Sequence, residues 1–67
     1  MNRKKWDMEW LESTYPNLKD QKAKERVFRE VISSFNKRKI FNVLAPIVEA
    51  YMKTAIEMKL TIWGIKF

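Results

Sequence analysis

Cysteine and histidine are absent from this chain of 67 residues, glycine occurs once, at Gly64, and proline twice, at Pro16 and Pro46. Without thiols there is no disulfide, and without thiols or imidazoles there is no Cys/His metal site and none of the side chains that most readily move protons near neutral pH. A single glycine cannot build a phosphate-cradling loop. No long hydrophobic run is present either: the longest apolar region, residues 40–52, is interrupted by Asn42, Pro46 and Glu49, which excludes a transmembrane span there. The basic start Asn2-Arg3-Lys4-Lys5 leads into Trp6-Asp7-Met8-Glu9 and lacks the apolar segment of a secretory signal. The expectation is a soluble, cytoplasmic protein.

The acidic residues do not repair the deficit in catalytic groups. Glu9 and Glu12 share a helix face and read as a solvated surface, not as an acid-base pair. Asp7, Glu9 and Glu12 are too sparse for a calcium or magnesium site. Ser13-Thr14 and Ser33-Ser34 have no histidine to activate them. No catalytic residue, cofactor site or metal site is therefore expected, and the chain reads as a binding protein and not an enzyme.

What is abundant is positive charge and aromatic surface. Fourteen Lys and Arg against eight Asp and Glu leave a net charge of +6, which favours polyanionic partners such as nucleic acid, an anionic membrane or an acidic protein face. A hydrophobic fraction of 46% is enough for one globular domain spanning residues 1–67. At this length only about 60% of the extended chain's surface is buried on folding, so stability is marginal.

Periodicity predicts an all-α fold, a small bundle of three helices, or four segments if Pro46 separates a short turn, with a short C-terminal extended tail. The first helix is expected over residues 3–13 with Asn2 as its cap, ended by Pro16. The second is expected over residues 18–36 with Asn17 as cap and Asp20 in its first turn. Its apolar stripe is Ala23, Val27, Val31 and Phe35, widened by Phe28 and Ile32. On the far side Lys19, Lys22, Arg26, Arg29 and Lys37 fall within roughly 80° by helical arithmetic. The pairs Glu25–Arg29 and Arg26–Glu30 soften that face without cancelling it.

The third segment, residues 40–60, carries a long stripe of Ile40, Leu44, Ile47, Val48, Tyr51, Ala55, Met58 and Ile62, predicted to be its inner face. Pro46 is placed in the first turn of a helix starting near Ala45, because an interior proline costs about 3 kcal/mol. Ala45, Ile56 and Leu60 fall outside the stripe and are read as a homodimer seam or partner groove. Residues 61–67 read as a helix stop at Gly64 with Ile65 packing back on Leu60, or as a short strand that pairs with a sheet edge elsewhere.

Two functional readings follow. In the first, the chain is a regulatory protein acting in nucleic-acid transactions, holding DNA or RNA phosphates on Lys19, Lys22, Arg26, Arg29, Lys37, Arg38 and Lys39. Against it stands a solvated face that merely keeps a small protein soluble; three cations at a helix C-terminus are favoured by the macrodipole without any ligand. In the second, Trp6, Trp10, Trp63 and Phe67 form a protein interface through which the chain, an inhibitor or adaptor, docks on an acidic surface of a nucleic-acid-processing enzyme. A membrane-surface peptide is a third reading. The three-helix count resembles a helix-turn-helix domain in architecture only, since the second turn lacks the usual glycine and the basic helix is the middle one. The size fits a small regulatory protein of a phage or other mobile element.

Overall fold

The computed structural model describes residues 6–67. Three helices, α1 (Met8–Thr14), α2 (Gln21–Lys37) and α3 (Ala45–Ile62), are joined by a link at residues 15–20 and by a segment that holds a short 3-10 turn, Ile40–Asn42. Among the described residues there is no strand, and no helix is long and apolar enough to cross a membrane.

Each helix start is set by a side chain or a proline, and two starts differ from those expected. Asp7, with extended backbone, caps α1 by accepting a 2.9 Å hydrogen bond from the Trp10 amide. Trp6 and Asp7 thus precede the helix, while the expected cap Asn2 lies outside the described residues. The cap of α2 is Asp20, not Asn17, and its carboxylate accepts from the Ala23 amide at 3.1 Å. Leu18 explains the shift. A helix continued back to residue 18 would put Leu18 roughly 40° from Lys22, on the solvent side. Ending the helix at Asp20 frees Leu18 to turn inward: its amide donates to the Tyr15 carbonyl at 3.1 Å and its side chain is 2% exposed. In α3, Pro46 stands in the first turn, where its missing amide costs nothing.

The helix ends are equally local. At the end of α3, Gly64 has φ +71°; its amide donates to Thr61 at 3.1 Å, and the Ile65 amide reaches back to Leu60 at 2.9 Å. This is a Schellman closure, so the chain after Gly64 is the tail of a helix stop and not a strand. The end of α2 uses the same left-handed conformation without a glycine: Lys39 has φ 56° and ψ 31°. A β-carbon in that region costs about 1–2 kcal/mol. Lys39→Gly is therefore expected to raise the melting temperature by about 4–8 °C for each 1 kcal/mol relieved, measured by thermal denaturation at fixed protein concentration.

The core joins Trp10, Leu11, Tyr15 and Leu18 to Ala23, Val27, Val31 and Phe35 of α2 and to Val48, Met52, Ile56 and Leu60 of α3. The α2 stripe is the one the periodicity predicts. The α3 face is not. Met52, Ile56 and Leu60 are fully buried, whereas Leu44, Tyr51, Met58 and Ile62 are 72, 54, 59 and 74% exposed and Ile47 is 44% exposed. Ile56 and Leu60, read from sequence as outward, are core; the expected inner stripe faces out except for Val48 and the half-buried Ile40 and Ala55.

Polar anchors on α3 account for the choice of face. Apolar residues cover roughly 220° of its circumference, so hydrophobicity leaves the rotation of α3 open. Glu49 accepts from Trp10 Nε1 at 3.3 Å, Glu57 accepts from the Tyr15 hydroxyl at 2.8 Å, and Lys59 Nζ meets Glu30 of α2 at 3.1 Å. Turning Tyr51 inward would carry Glu49 from roughly 40° to roughly 160° from the inward direction, leaving the buried indole of Trp10 without this partner, whereas Glu57 lies roughly 120° from it in either rotation. An unmet buried polar group costs about 1–3 kcal/mol.

Candidate functional site

Cations run along α2 as Lys22, Lys24, Arg26 and Arg29 and gather at its end as Lys37, Arg38 and Lys39, where the last-turn carbonyls favour positive charge. There a shallow groove of about 570 Å³ opens between α2 and α3. Arg29, Lys37 and Arg38 line it from α2 and its cap, Lys59 lines it from α3, and Ser33 and Ser34 contribute hydroxyls. Glu30 is its single carboxylate. That carboxylate is already shared: Lys59 Nζ lies 3.1 Å from one oxygen and Arg26 Nε lies 3.1 Å from the other. The two hydrogen bonds, that from Lys59 first and that from Arg26 second, hold the Glu30 carboxyl below the usual glutamate range, so it stays ionised and saturated.

The seven cations expected to act together are divided by the fold. Lys19 precedes α2 and is exposed in the link, so it leaves the helical row. Lys22 is exposed in the first turn of α2. Arg26 is engaged within the molecule, paired with Glu30 and stacked 4.4 Å from the centre of the Trp63 ring. Arg29, Lys37 and Arg38 come together at the groove, and Lys39, though exposed, is not among its lining residues. Among the described residues, Lys22, Arg29, Lys37, Arg38 and Lys39 form no ion pair. Lys59 is the member that sequence reasoning missed. It sits near the edge of α3's inner face, and only its contact with Glu30, 29 positions away in the chain, brings it to α2.

Of the four aromatic residues expected at a protein interface, the ring contacts among the described residues join only Trp6 and Trp10 to each other. Trp10 is 8% exposed and belongs to the core, which removes it as an outward anchor; a ring on a seven-residue helix is covered because Trp6 lies edge-on to it, with centroids 5.2 Å apart. Trp6 itself is half-buried. Trp63 is half-buried beneath Arg26. Phe67 is 38% exposed and meets Tyr15 edge-to-face at 5.7 Å. Tyr15 ties α1 to α3 through its hydroxyl: burial, and then the Glu57 carboxylate, push its phenol well above the ordinary tyrosine range, so it remains a neutral donor.

No family model, curated protein or solved structure matches this chain.

Proposed function

We propose that the protein is a non-enzymatic regulator that binds nucleic acid, seating a phosphate backbone along the groove between α2 and α3. The observation that carries this reading is the convergence of Arg29, Lys37, Arg38 and Lys59 on one open groove whose only carboxylate is already satisfied by Arg26 and Lys59. Arg29 and Lys37 are separated by about 12 Å along the helix axis, a length over which one strand of B-form duplex carries about three to four phosphates. Arginine supplies paired donors to phosphate oxygens, and lysine supplies compact charge. Contacts to phosphate carry no sequence information, so the binding is expected to be indifferent to sequence.

Fluorescence anisotropy of a labelled duplex and a labelled single strand tests this. Four phosphate contacts give a log-log salt slope near −3.6 on duplex, so affinity is expected to fall roughly 100-fold between about 50 and 200 mM salt. A slope near zero, or no binding at the lower salt, removes nucleic acid from the account. The protein-docking reading retains Trp6, Trp63 and Phe67 as partly exposed rings, with Trp10 in the core.

A further inference from the structure

The outer arc of α3 is apolar, exposed and free of charge in a protein of net charge +6. Within roughly 100° of the helix circumference lie Leu44, Ile47, Tyr51, Thr54, Ala55, Met58 and Ile62, none of them ionisable near neutral pH. The five large residues are 44 to 74% exposed. Together they offer on the order of 600 Å² of side-chain surface, the upper end of what monomeric proteins leave uncovered.

We propose that this face is a self-association surface, on which two copies of the chain pair α3 against α3 in antiparallel orientation about a two-fold axis at Thr54 and Ala55. The spacing of the stripe is its own mirror. Counting outward from the point between residues 54 and 55, Tyr51 matches Met58 and Ile47 matches Ile62, so reversing the helix lays large residues on large residues and small on small. A two-fold interface demands this self-complementarity. The small pair at the centre lets the backbones approach. Thr54 has no polar demand to leave unmet, because its hydroxyl donates to the Ala50 carbonyl at 2.9 Å. Two such faces, wholly covered, bury at most roughly 1,200 Å², the lower end of stable interfaces; Leu44, whose mirror position is residue 65, flanks the matched pairs just beyond the end of the partner's helix. Each groove runs along the Lys59 flank of its own α3, and rotation about an axis normal to the plane of the two helices keeps both grooves on one side of the pair.

The test is the mass of the full chain by sedimentation equilibrium from about 1 to 200 μM, a range that brackets dissociation constants of a few to tens of micromolar. A reversible rise to twice the monomer mass is expected, and Met58→Glu is expected to return the chain to monomer mass with its helical circular dichroism intact. Because the chain has no native cysteine, orientation is read directly: oxidation of an equimolar mixture of Ile47→Cys and Ile62→Cys chains should give mainly the mixed disulfide. Monomer mass across the whole range overturns the proposal, as does a dimer that Met58→Glu leaves unchanged, or one in which Ile47→Cys cross-links chiefly to itself. Should Met58→Glu fail to fold, the unmodified chain's mass and the mixed cross-link still decide the matter.

Discussion

Ile56→Glu is expected to leave the chain unfolded at 25 °C, whereas Met58→Glu, two residues further along the same helix, keeps its helical signal and changes the urea midpoint of the monomer little. Ile56 is fully buried against the α1 and α2 core, and Met58 is 59% exposed. Truncating a buried isoleucine costs about 2–5 kcal/mol, and an unpaired buried carboxylate adds several more. A domain of this size has roughly 3–10 kcal/mol in all. At Met58 the same change removes only half-wet surface, an effect of about 0.5 kcal/mol or less on the isolated chain. Glutamate is a good helix former at both positions, so propensity does not separate them. Far-UV circular dichroism and urea titration at low protein concentration read the difference. The reverse outcome, with Met58→Glu unfolded and Ile56→Glu tolerated, would mean that α3 turns its Tyr51 face inward.

Reversing two groove cations, Arg29→Glu with Lys37→Glu, is expected to weaken duplex binding by about 100-fold or more near 0.1 M salt and to reduce the log-log salt slope by about two. Both side chains are exposed and free of ion pairs among the described residues, so the fold should survive; the main structural penalty is a negative charge in the last turn of α2, about 0.3–1 kcal/mol. A matched control separates the groove from the overall charge. Lys53→Glu with Lys66→Glu changes the net charge equally at exposed positions outside the groove, and its loss should be only a fewfold if contact with phosphate is local. Equal losses in the two double variants would assign binding to net charge and remove the groove.

The sequence was read correctly where one element answers to its own residues. The stripe Ala23, Val27, Val31 and Phe35, widened on one side by Phe28 and Ile32, stands opposite a cationic face, so the buried face of α2 follows from period alone. Pro46 and Gly64 act within one turn of themselves, one by lacking an amide and the other by adopting positive φ, and both behave as expected. Asp20 displaced Asn17 as a cap for a reason that reaches outside the helix, since Leu18 is drawn into a core built by other segments. The groove was half legible: Arg29, Lys37 and Arg38 lie on one helix, but Lys59 joins them only through its pair with Glu30.

Composition and periodicity by themselves determined that this chain is all-helical, basic, free of thiol and imidazole chemistry, and divided at Pro16 and before Pro46. Those properties depend on single residues or on neighbours three and four positions apart. The rotation of α3 was decided only in the assembled fold. A helix that is greasy around most of its circumference can bury either of two faces for a similar hydrophobic gain, and the observed face is the one that brings Glu49 to the indole of Trp10, 39 positions away. That choice places Ile56 and Leu60 inside, and it exposes the uncharged stripe through which we propose that two chains meet.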